Sequence, residues 1–143
     1  MSPRWIIACC RFLLALVFIL ASIHKIIYPE TFAQTIYQYQ ILPDSMINLV
    51  AITLPWIELV AAVAILTPTS FKDGAALLML LMLAVFALAM SFNILRGLDI
   101  SCGCFSSGDT DTIGWSNVVR NLGYMFLCVA VMGEQWITQK LRA

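Results

Sequence analysis

Four long apolar runs, separated by short polar breaks, dominate the chain. The first runs from Trp5 to Ile27, the second from Ser45 to Thr67, the third from Asp73 to Leu95 and the fourth from Trp115 to Ile137. A helix needs roughly 20 apolar residues to cross the hydrocarbon core of a bilayer, and each run is about that long. The pattern predicts an all-α fold: an integral membrane four-helix bundle in one domain over residues 1–143. Pro55 falls inside the second run, where its ring removes one backbone hydrogen bond and predicts a kink.

The breaks differ in character. Tyr28 to Asp44 carries Phe32, Ile36, Tyr37 and Tyr39. Tyrosines favour the depth where one end is apolar and the other wet, so this break reads as a short interfacial helix between the first two spans. Pro68 to Lys72 reads as a tight turn, and Arg96 to Gly114 is a longer, irregular polar loop. Arg11 stands where a signal peptide would need an unbroken apolar stretch, so the first run reads as a retained helix.

Composition agrees with the pattern. Of 143 residues 62% are hydrophobic and 11% charged, and the mean hydropathy is +0.92. A soluble domain carries about a quarter charged residues. The formal net charge is zero, which gives no field to recruit nucleic acid. Lys and Arg outside the spans set the orientation. Arg4, Lys72, Lys140 and Arg142 belong to the N-terminus, the second loop and the C-terminus, whereas Asp99, Asp109 and Asp111 follow Arg96 in the third loop. Both termini are therefore expected in the cytoplasm. The third loop is expected outside, where disulfides persist.

That loop holds Cys102-Gly103-Cys104. Glycine accepts the backbone angles of a small disulfide ring, and a strained ring is readily reduced. The spacing suits a redox-active pair. Two inert thiols are the bland alternative, and half of a metal site is a third. The metal reading is disfavoured because zinc wants four ligands and the chain has one histidine. Cys9, Cys10 and Cys128 read as small hydrophobes.

Polar groups within the spans are expensive and point to function. Arg11, Phe18, Ser22 and Lys25 share one face of the first helix at helical spacing. Arg120, Tyr124 and Cys128 stack on the fourth, and Glu58 lies near the middle of the second. His24, Lys25, Asn93, Arg96, Arg120 and Asn121 all fall toward the loop of Cys102 and Cys104. Lys25, Arg96 and Arg120 outnumber Glu58, the one intramembrane acid on that side. Positive charge there would stabilise thiolate and would suit an anionic quinol or another anion. The structural alternative pairs Glu58 with one or two of the cations Lys25, Arg11 and Arg120 to hold the bundle together, and lets Lys25 and Arg96 extend to the interface. Both can hold at once.

These residues resemble the MauE family of methylamine-utilisation membrane proteins, a branch of the DoxX-like group. The resemblance rests on Arg11, Phe18 and Lys25, then Pro29 and Phe32, and on Tyr39, Leu42 and Pro43. It continues through Leu54-Pro55 with Glu58, and Asn93 with Arg96-Gly97. Cys102-Gly103-Cys104-Phe105, Trp115 and Arg120-Asn121 complete it. Ser106 stands where the family usually has glycine, and His24 where a small or apolar residue is expected. The resemblance implies a four-helix inner-membrane protein that assists disulfide formation in exported redox proteins, methylamine dehydrogenase small subunit among them. It also implies a periplasmic thioredoxin-like partner. A thiol–disulfide oxidoreductase using Cys102 and Cys104, with electrons leaving through a quinone or a second protein, is the leading expectation. A non-catalytic assembly or anchoring subunit is the alternative, and a small transporter built on Glu58 comes third.

Overall fold

The computed structural model describes residues 3–68, 70–98 and 114–142. All regular structure among them is helical: α1 (Pro3–Ile27), α2 (Pro29–Tyr39), α3 (Asp44–Leu66), α4 (Phe71–Leu95) and α5 (Trp115–Arg142). α1, α3 and α4 are long and apolar enough to cross a membrane. The fourth apolar run forms the helix α5, which falls outside that group by composition. Arg120, Asn121 and Glu134 dilute its apolar run, and the buried Asn121 shows one such residue turned inward.

The long helices pack in a ring of neighbours: α1 against α3 and α5, and α4 against α3 and α5. Their shared core takes Leu14, Ala15 and Phe18 from α1, Ala61, Ala62 and Ile65 from α3, Ala75, Ala76, Met79 and Leu83 from α4, and Cys128 and Val131 from α5. Alanine is frequent at these contacts. Small side chains let backbones approach where lipid offers no hydrophobic drive for association. The opposite faces expose Leu, Val, Ile and Phe, among them Val60, Leu88 and Phe126. That inversion of the soluble pattern fits surfaces facing hydrocarbon.

α2 continues almost directly from α1. Tyr28 closes a last turn on His24 (N to O, 3.0 Å), and Pro29 starts the next helix at the position where its missing N–H is harmless. α2 then packs on α3, burying Phe32, Thr35 and Tyr39. It ends at Gln40, in the left-handed region with φ 52°, a conformation uncommon outside glycine. α3 runs unbroken through the buried Pro55.

α4 ends in a Schellman motif. Gly97 takes φ +69° and donates to Ile94 O (3.0 Å), and Leu98 donates to Asn93 O (3.2 Å). Glycine is required by that left-handed turn. Leu98 packs on a small cluster of Tyr39, Met90 and Val118, which brings α2, α4 and α5 together at this end.

Candidate functional site

Lys25, near the end of α1, reaches Glu58 in the body of α3. Its ammonium donates to Oε1 at 2.8 Å and to Oε2 at 3.0 Å. Both side chains are at least 96% buried. The ring of Phe32 from α2 lies 4.8 Å from the ammonium, and that of Phe86 from α4 lies 5.1 Å away. Aromatic faces attract a cation at such distances. An ammonium carries three donors, and two are spent on Glu58.

The pair borders a half-open cavity of about 70 Å³, lined by α1, α3, α4 and α5. A water needs roughly 10–15 Å³ of such space, so several fit. Phe18, Met82, Phe86 and Met90 supply apolar wall, and Asn117, Arg120, Asn121 and Tyr124 the polar side. Asn121 crosses to α4 and donates to Leu83 O at 2.6 Å. Around this cavity two cations stand against one carboxylate.

Arg11 occupies a different place from the one expected. It was read as a partner for Glu58, but its guanidinium meets the end of α3. Nε donates to Ile65 O at 2.9 Å, and Nη2 donates to Ile65 O at 2.7 Å and Thr67 O at 2.8 Å. The last carbonyls of a helix lack intrahelical donors and carry partial negative charge, so a neutral helix end serves the cation as well as a carboxylate would. Of the expected partners Glu58 takes Lys25, and Arg120 lines the same cavity.

Arg96 is not among the residues that line this cavity. It is exposed, donates to Gln40 Oε1 at 3.1 Å, and lies 5.2 Å from the centre of the Phe92 ring. Arg96 thus ties the end of α4 to the end of α2. Asn93 is buried and donates to Ala89 O at 2.9 Å within its own helix. Its Oδ1 has no hydrogen-bond partner among the described residues. Cys128 is buried in the core, Cys9 is exposed and Cys10 half-buried. Cys102 and Cys104 lie outside the described residues. Among the described residues no cluster of His, Cys, Asp or Glu could hold a metal ion.

Asn117 and Phe86 are among the lining residues that escaped the sequence reading. Asn117 lies one turn before Arg120 and Asn121, so its helical spacing was a usable signal. Phe86 is one apolar residue among many on α4 and carries no signal of its own.

Comparison with known proteins places these features in context. The family profile described as methylamine utilisation protein MauE matches residues 3–133. The methylamine utilization protein MauE of Paracoccus denitrificans is 37% identical over 85% of this chain and 65% of its own length. That of Methylorubrum extorquens is 33% identical over 89% of this chain and 67% of its own length. That of Paracoccus versutus is 38% identical over 78% of this chain and 60% of its own. The chain thus matches about two thirds of the length of these relatives. No solved structure matches it.

Proposed function

The chain belongs to the MauE family of methylamine utilisation proteins, and on that premise we propose that it is a membrane thiol–disulfide factor for exported redox proteins. α1, α3, α4 and α5 would form the transmembrane bundle of a bacterial inner membrane, with α2 at its outer interface. Both termini would be cytoplasmic and the segment between Leu98 and Gly114 periplasmic. Cys102 and Cys104 in that segment are the exchanging pair.

One observation carries the reading. The cavity holding Lys25, Glu58 and Arg120 lies in the half of the bundle where α4 ends and α5 begins. Both ends of the cysteine segment are therefore anchored at the end of the bundle that carries Lys25, Arg96 and Arg120. Positive potential stabilises thiolate, the species that attacks and leaves in exchange. In the forward step a thiolate of the exported partner attacks the Cys102–Cys104 disulfide. The mixed disulfide resolves as the partner's second thiolate attacks it. The partner gains a disulfide, and Cys102 and Cys104 become two thiols. Their two electrons and two protons then pass to an acceptor, either the disulfide of a thioredoxin-like protein or a quinone that becomes quinol.

The test is redox titration of the purified protein in glutathione buffers, read on alkylation gels. The pair should titrate well above about −300 mV, the region below which structural disulfides lie. Cys102→Ser or Cys104→Ser should trap a mixed disulfide with an exported protein. A pair that stays oxidised to about −300 mV, or reduced at every poise, would leave a non-catalytic assembly or anchoring subunit as the better reading.

A further inference from the structure

A second cavity adjoins the first. It measures about 180 Å³ and lies between α2, α3 and α4, walled by Phe32, Ile36, Leu54, Val85, Phe86 and Ala89. The surface facing it is apolar throughout. Thr35 belongs to the wall, yet its hydroxyl is turned into its own helix, donating to Thr31 O at 3.0 Å. Phe86 is a wall of both cavities. Lys25 lines the charged one, and its ammonium is held between Phe86 and Phe32, a wall of the apolar one. The buried ion pair therefore stands at the partition between a charged chamber and an apolar chamber.

Such a juxtaposition is unusual for packing alone. An unfilled apolar chamber forfeits dispersion contacts along its lining and does not attract water. Its neighbour, by contrast, concentrates donors: the third N–H of Lys25, the Asn117 amide and the Tyr124 phenol. Specific sites combine an apolar lining with a few convergent polar groups.

We propose that the two chambers form one site for an isoprenoid quinone, its ring in the charged chamber and the start of its tail in the apolar one. The carbonyl oxygens of such a ring are acceptors, matched to the amide, phenol and ammonium donors. Its faces are flat and apolar, matched to Phe18, Phe86 and the methionines. The head is uncharged, as suits a chamber whose ammonium and carboxylate are already paired. One apolar chamber takes one tail, which disfavours a diacyl phospholipid. The proposal deepens the thiol-exchange reading by naming the electron acceptor, but binding itself requires neither cysteine.

The experiment uses the full chain purified in detergent. Two probes are titrated by equilibrium binding: a ubiquinone analogue with a decyl tail and the same ring without a tail. The tailed probe should bind at least about tenfold more tightly, since each buried methylene adds to affinity. Ala89→Phe should fill the tail chamber from α4, and Leu54→Trp from α3. Either variant that keeps a monodisperse profile and the wild-type helix content should lose that advantage while binding the tail-less ring unchanged. Asn117→Leu should weaken both probes. The double variant Cys102→Ser/Cys104→Ser should bind both like wild type. Equal affinity for the two probes would overturn the proposal, as would folded tail-chamber variants that keep the tail advantage. So would displacement of the tailed probe by phosphatidylglycerol, which would make the site one for lipid. Quinone binding in a protein whose cysteines fail the redox titration would sink the exchange reading and leave this site standing. A titrating pair without quinone binding would do the reverse.

Discussion

α1 carries two inward cations, and the two ends of the bundle treat them differently. Arg11, half-buried, donates to the carbonyls that finish α3. Lys25 is set against a carboxylate, between two aromatic rings, on the wall of a cavity. A guanidinium has a fork of donors that suits two adjacent carbonyls. An ammonium is a compact point charge and leaves room beside it. The first arrangement closes an end of the bundle. The second keeps an end open for chemistry at a cost in desolvation, because a buried pair seldom stabilises more than apolar packing would.

The comparison breaks first at Glu58. Glu58→Gln leaves Lys25 buried and unpaired, which costs about 3–5 kcal/mol in a protein interior. Accumulation in membranes should collapse, and the melting temperature in detergent should fall steeply. Lys25→Met combined with Glu58→Leu should melt closer to wild type than either single variant, since removing both charges removes the desolvation cost. Wild-type melting of Glu58→Gln would mean that the pair is not buried from water.

Arg11→Gln should come next, at about 1.5–3 kcal/mol for the lost charge-assisted bonds to Ile65 and Thr67. Amide exchange should quicken at the end of α3 and remain unchanged around Glu58. An equal response at both places would erase the distinction between the ends. Arg96→Ala should cost about 1 kcal/mol, because its bond to Gln40 is exposed. Its signature should be faster proteolysis near the end of α2 rather than a shifted melt. Lys72→Ala should have the least effect. Its 3.7 Å contact with Glu134 is partly exposed, and such pairs contribute about 0–1 kcal/mol. Raising the salt concentration should abolish even that.

These outcomes also divide what the sequence could reveal from what it could not. The inward face of α1 was legible because Arg11, Phe18, Ser22 and Lys25 repeat at helical spacing. The helices themselves were legible from run length, to within a few residues at most ends. The helix between the first two spans was legible from Pro29 and its aromatic residues. Pairing was less so. Glu58 could meet any inward cation until the antiparallel register of α1 and α3 was fixed, and that register comes from packing. The acceptors of Arg11 are backbone carbonyls, which every residue has. The apolar chamber is built from ordinary aliphatic and aromatic positions of three helices, so no single residue announces it. On α5, Arg120, Asn121 and Tyr124 were legible as polar positions within the span, whereas Asn117, which completes the polar side of the cavity, was hidden in the length of the run.

The two inward cations of α1 also bear on how the protein is made. Glu58 follows Lys25 by 33 residues, and Ile65 follows Arg11 by 54. Synthesis proceeds from the N-terminus, so α1 leaves the ribosome with both cations still lacking the groups that will receive them. Each costs about 2.5–3.5 kcal/mol at the centre of an inserting helix. α1 should therefore linger at the insertion machinery until α3 arrives, and the two should enter the lipid as a hairpin. A nascent chain stalled after α2 should remain crosslinked to the translocon, whereas one stalled after α3 should be released.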